Sequence, residues 1–82
     1  MPEICRFLGI VISMYFDEHN PPHFHVTYND YKAAIAIKTL NVLDGILPAR
    51  VRGLVVEWAD LHQEELLGMW ESHEFHKIDP LV

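Results

Sequence analysis

Apolar and polar positions along this chain follow two periods. The first half alternates in short runs, and the second half repeats at three- and four-residue steps. Residues 4–16 (ICRFLGIVISMYF) are β-branched and aromatic, which predicts a strand. The even positions Ile4, Leu8, Ile10, Ile12, Met14 and Phe16 are apolar, and the odd positions Cys5, Phe7, Val11 and Tyr15 are nearly as apolar. A strand apolar on both sides belongs inside a covered sheet or at a subunit contact. Gly9 is expected to mark a bulge or a close approach.

Asp17-Glu18-His19-Asn20-Pro21-Pro22 reads as a turn, because prolines remove donors and the polar residues break the alternation. From position 23 to 28 the alternation is clean: Phe24, Val26 and Tyr28 share one side, and His23, His25 and Thr27 the other. Asn29-Asp30 suits a two-residue hairpin turn, and residues 31–40 form the returning strand. Such a turn dictates the register. Tyr28 then faces Tyr31, Val26 faces Ala33, and Phe24 faces Ile35 on the apolar side. Thr27 faces Lys32, His25 faces Ala34, and His23 faces Ala36 on the polar side. Two imidazoles thus stand over two alanines, which leaves room for a ligand or for packing.

Residues 41–47 continue as strand or irregular chain, with Asp44-Gly45 a turn. Pro48 sits where a helix can begin. Val51, Leu54, Val55, Trp58, Leu61, His62, Leu66, Met69 and Trp70 then recur at helical spacing, opposite Arg52, Glu57, Asp60, Glu64, Glu65 and Glu71. The predicted fold is α+β: a small antiparallel sheet of three to four strands packed against one long C-terminal helix. One domain is expected over residues 1–82, with the sheet in 1–47, the helix in 48–73 and a loose tail in 74–82. No internal repeat is present.

Composition adds two constraints. Of 82 residues half are hydrophobic and 22% are charged, so a packed core is expected and a disordered tail is excluded. A domain of this size buries only about 60% of its unfolded surface. The surplus apolar surface and open sheet edges therefore suggest a homodimer or a complex with a cognate small protein. The net charge of −6 is uneven: residues 1–53 balance five acids with five bases, while 54–82 hold seven acids and only Lys77. The acidic C-terminal part repels nucleic acid and anionic membranes, so neither is a favoured partner. Cys5 is the single cysteine and cannot form an internal disulfide. The apolar run 7–16 is too short to span a bilayer and lacks a small-residue cleavage site, which leads to a cytoplasmic expectation.

The candidate chemistry gathers in His19-Asn20-Pro21-Pro22-His23-Phe24-His25. Residues two apart on a strand project to one side, roughly 7 Å apart along it. His23 and His25 could converge on a metal ion, with His19, Asp17 or Glu18 adding ligands from the turn. Without a thiolate in that set, zinc, iron, nickel and manganese all suit it as the divalent cofactor. The same face admits metal-free acid–base catalysis by His23 and His25, with Lys32, Lys38 or Arg6 binding an anion, as in RNA cleavage through the 2′-hydroxyl. The third reading is plainer: histidines that stiffen a Pro-Pro turn by hydrogen-bonding its carbonyls. Arg50 and Arg52 lie in the first helical turn, as an anion site or as solvated charge. His73 and His76, three apart, either chelate metal or interact with the helix dipole. Trp58, Met69 and Trp70 read as core or subunit contact. Gly-rich phosphate loops, Cys-pair zinc motifs and Ser nucleophile elbows are all missing from the sequence.

Met1-Pro2-Glu3-Ile4-Cys5-Arg6-Phe7, Met14-Tyr15-Phe16, Pro21-Pro22-His23-Phe24-His25-Val26, and Glu57-Trp58 with Leu61-His62 and Glu65-Leu66 together resemble a small bacterial family, domain of unknown function 4160. The Pro-Pro-His-Phe-His core is the most specific part. The resemblance implies half of a small two-gene cassette in the manner of toxin–antitoxin modules and a role for His23 and His25, with Asp17 and His19 in the preceding turn. Together with the histidine spacing, the expected function is an interaction module with a ligand or metal site at His23 and His25. The enzymatic alternative is a small ribonuclease or metal-dependent hydrolase using the same two histidines. Cupins and histidine-triad hydrolases are similar only superficially. The first need a second metal-binding segment, and the second need a third alternate histidine where this chain has Thr27.

Overall fold

The computed structural model describes residues 3–15 and 19–82. Five strands form one antiparallel meander in chain order: β1 (Glu3–Phe7), β2 (Ile10–Ser13), β3 (His23–Tyr28), β4 (Tyr31–Ala36) and β5 (Val42–Gly45). Two helices follow, α1 (Ala49–Leu61) and α2 (Gln63–Ser72). The α+β class stands, with more strands than expected and with the single helix divided.

The first correction concerns residues 4–16. They form a hairpin, not one strand, and the chain reverses at Leu8 and Gly9, whose φ values are 51° and 79°. Two successive left-handed residues make the turn that matches the twist of the flanking strands. Phe7 pairs with Ile10 and Cys5 with Ile12, so among the paired residues the core-facing parity changes from odd in β1 to even in β2, while Ile4, at the register shift between Glu3 and Cys5, is buried as well. Cys5 and Phe7 are buried before the turn, and Ile10, Ile12 and Met14 after it. That phase change is why both sides of the segment look apolar in the sequence.

The β3–β4 hairpin has the register the alternation predicts, from His23 opposite Ala36 to Tyr28 opposite Tyr31. The returning strand ends at Ala36, short of position 40. β5 then pairs with β4, Asp44 opposite Ala34 and Val42 opposite Ile35, with a register shift between Ala34 and Ile35. Asp44-Gly45 is thus strand and not turn. Gly45 has φ 82°, and an added Cβ would lie 2.1 Å from the Lys32 carbonyl oxygen, so only glycine fits there.

Phe7, Ile10, Ile12, Phe24, Val26 and Ile35 form one sheet face and pack with Val51, Val55, Trp58, Leu66 and Met69 of the helices into one core. Trp58 is its centre, with its ring centroid 6.0 Å from Phe24 and 6.5 Å from Phe7.

The second correction is at His62, where the helix breaks. Its amide donates to the Ala59 carbonyl, and its backbone (φ −121°, ψ 19°) ends α1 and begins α2. A continuous helix from Ala49 to Ser72 would be about 36 Å long, longer than the molecule's largest extent of 30 Å. The break turns α2 across the end of the sheet, where the Gln63 amide donates to the carbonyls of Ile37 (2.8 Å) and Lys38 (3.1 Å). Leu61, which helical spacing assigns to the buried stripe, is 68% exposed as a result.

The third correction is the tail. Residues 73–82 lack regular structure but are not loose. The Ile78 amide donates to the Ile4 carbonyl at 2.8 Å, and its side chain is buried beside β1. The Trp58 indole N–H donates to the Asp79 carbonyl at 2.9 Å. A buried indole needs such an acceptor, and the tail supplies it. The tail therefore bonds to the outer edge of the sheet at β1. No helix among the described residues is long and apolar enough to cross a membrane.

Candidate ligand-binding site

Alternation sends every second strand residue to the side opposite the core. On that second face the cross-strand pairs align Arg6, Val11, Thr27 and Lys32 in one row and Ser13, His25, Ala34 and Asp44 in the next. Val11, His25, Thr27 and Ala34 are half-buried, while Arg6, Lys32 and Asp44 are exposed.

The two histidines of the Pro-Pro-His-Phe-His segment emerge together, as alternate positions on β3 should. Their ring centroids are 5.1 Å apart and the planes are inclined at 71°. His23 also lies 5.1 Å from the Trp70 ring of α2, and His25 lies 4.7 Å from Tyr15, edge to face. The outcome is a row of four rings: Trp70, His23, His25, Tyr15. The His23 Nδ1 is 2.8 Å from the Pro21 carbonyl oxygen. A carbonyl only accepts, so Nδ1 carries the proton and donates it to Pro21. This bond is the one the plainest sequence reading expects. It is also the bond that orients a metal-ligating imidazole.

Among the described residues no group of three or more His, Cys, Asp or Glu side chains is placed to hold a metal ion. Asp17 and Glu18 lie outside the described residues, and His19 is exposed. The described part of the proposed ligand set thus offers the two imidazoles of β3 as neighbours and nothing more.

The three candidate cations are dispersed. Lys32 stands beside His25. Lys38 lines a larger cleft with Asn20, Pro22, Trp70, Glu71 and His73. Arg6, two strands from His25, donates to both Glu3 carboxylate oxygens, at 2.7 and 3.1 Å. That hydrogen-bonded pairing holds the Glu3 carboxyl below its ordinary value and raises the Arg6 guanidinium. Burial pushes the Cys5 thiol up, which keeps it protonated and unreactive. His73 ends α2 in a left-handed conformation, and His76 Nε2 lies 3.5 Å from Glu65 while its Nδ1 lies 2.9 Å from the Lys77 carbonyl. Arg50 and Arg52 are exposed at the start of α1, and Arg50 borders a small cleft with Leu8 and Tyr28.

Beside His25 the second face opens into a cleft of about 260 Å³. Ala34 and Ala33 are among its lining residues, with Tyr15 and His25, Thr27 and Lys32, and Asp44 and Gly45. Among the described residues neither Lys32 nor Asp44 has an ion-pair partner. The hairpin register anticipates room over Ala34, and the cleft lies there. Tyr15 and Asp44 are the residues the sequence reading missed. Tyr15 is hidden by the double apolar pattern of residues 4–16, and Asp44 is masked by the turn-like Asp-Gly pair.

The family model described as Domain of unknown function (DUF4160) matches residues 9–71. The chain belongs to this family. The matched stretch runs from the Leu8-Gly9 turn through most of α2, so it contains the Pro-Pro-His-Phe-His segment and every lining residue of the cleft in this DUF4160 protein. No curated protein and no solved structure matches the chain.

Proposed function

We propose that this DUF4160 protein is an interaction module, one half of a toxin–antitoxin-like two-gene cassette of a bacterial cytoplasm, and that its second sheet face around His25 is the ligand surface. The observation that carries the reading is the cleft over Ala34, where an imidazole, a phenol and two oppositely charged side chains border one small space. Binding needs complementary groups held in place. Catalysis of phosphate transfer needs, in addition, several cations over the reacting atoms. Of Arg6, Lys32 and Lys38, only Lys32 lines the cleft with His25, and this favours binding over the hydrolase alternative.

The test is co-expression with the product of the neighbouring gene, followed by gel filtration. The expected result is a co-eluting complex that is lost in His25→Ala while the melting temperature of the variant stays near wild type. Separate elution of the two wild-type proteins would overturn the reading. RNA cleavage by the purified protein that disappears in His23→Ala and His25→Ala would replace it with the enzymatic one.

A further inference from the structure

The residues around the cleft also constrain what it can hold, given that the second face is the binding surface. Lys32 and Asp44 lie diagonally across Ala34: Lys32 is two residues before it on β4, and Asp44 is opposite it on β5. Two residues along a strand and one strand across place their backbones about 8 Å apart. Ala34, a single methyl, neighbours both at the corner of that diagonal, and the two charges make no ion pair with each other. A ligand bearing one negative group would gain only the attraction of Lys32, and one bearing a positive group only that of Asp44. A ligand with both signs satisfies both. Size narrows the class further. A volume of about 260 Å³ falls below the roughly 300–1,000 Å³ of drug-sized ligand sites. It equals the share of about nine liquid waters.

We propose that this cleft binds a small zwitterion of the amino-acid class. Its carboxylate lies on the Lys32 ammonium and the Thr27 hydroxyl, its ammonium on the Asp44 carboxylate, and its body over Ala34 against the Tyr15–His25 ring pair. The edge-to-face contact of Tyr15 with His25 keeps that wall in place.

Amide-resolved NMR titration of the full chain tests the assignment, with glycine, L-leucine, L-glutamate and L-lysine as probes up to about 10 mM, a range that reaches millimolar dissociation constants. At least one is expected to shift the Thr27, Lys32, Ala34 and Asp44 amides saturably. For that probe, the N-acetylated acid and the amino amide, which carry one head-group charge each, are expected to bind about tenfold more weakly. Lys32→Met and Asp44→Asn, both at exposed positions, should weaken it by a similar factor with unchanged melting temperature. Equal binding of the singly charged analogues, or no saturable shift with any of the four, overturns the inference. In that event an intact complex with the neighbouring gene product shows that the interaction module stands and only the ligand class has failed.

Discussion

Gly45→Ala is the substitution whose effect the structure defines most sharply. The new Cβ would sit 2.1 Å from the Lys32 carbonyl oxygen, 2.8 Å from the Ala33 Cα and 2.9 Å from the Lys32 carbonyl carbon. All three are backbone atoms of β4, so no side-chain rotation relieves the clash, and β5 must move away. Holding a non-glycine residue at φ 82° costs about 1–2 kcal/mol. Separating the strands also removes the hydrogen bond from the Ile46 amide to the Lys32 carbonyl, 3.1 Å long, worth about 1 kcal/mol, and the remaining pairing of β5 is strained. Reduced freedom of the unfolded chain returns about 0.4–1 kcal/mol. The net loss is about 1–3 kcal/mol before that strain is added, large against the roughly 4–12 kcal/mol typical of a chain this long. At about 4–8 °C per kcal/mol, the melting temperature should fall by at least about 4 °C. Thermal unfolding by circular dichroism measures the fall, and hydrogen exchange should show β4 amides losing protection first. Gly53→Ala and Gly68→Ala are the controls. An added Cβ meets nothing within 4 Å at either helical site, so each should stabilise the protein by about 0.5–1 kcal/mol through helix propensity. A neutral or stabilising Gly45→Ala would refute the reasoning.

Three further outcomes are expected. Trp58→Phe keeps much of the ring packing but removes the donor to the Asp79 carbonyl. It should cost about 1–2 kcal/mol and expose residues 73–82 to limited proteolysis, whereas an unchanged cleavage pattern would mean that the indole does not hold the tail. The Glu3 carboxyl is held down by Arg6 in the folded state, so its stabilising contribution is fully present above the ordinary value of 4.5 and disappears as pH falls through the lower folded value. Wild type should accordingly melt above Glu3→Gln at neutral pH and low salt, with the gap closing as the solution is acidified well below 4.5 and in molar salt; a gap that persists in strong acid contradicts the pairing. The Cys5 thiol is buried and its ionisation is raised. Alkylation by iodoacetamide in native buffer should therefore be slow and accelerate with denaturant along the global unfolding curve; fast labelling of the folded protein would show that β1 opens locally.

His25 and Lys32 over Ala34 were legible in the sequence because a two-residue turn and strict alternation set the β3–β4 register locally. Tyr15 and Asp44 reach the same cleft from the segment after β2 and from β5. Their arrival depends on pairings that no local pattern encodes.

The residues alone determined the β3–β4 hairpin with its apolar side and the helical character of most of residues 49–72, because those properties arise from neighbours two to four positions apart. They also determined the acidic outer surface of the helices. Tertiary structure decided the rest. A pattern of burial states that a side chain leaves water, but not what it packs against. The reversal at Leu8 and Gly9 brings Phe7 opposite Ile10 and covers both apolar parities with one core. The break at His62 fits two helices where one would overrun the sheet. The tail is held because its Asp79 carbonyl accepts from Trp58, deep in that core, and its Ile78 amide donates to Ile4.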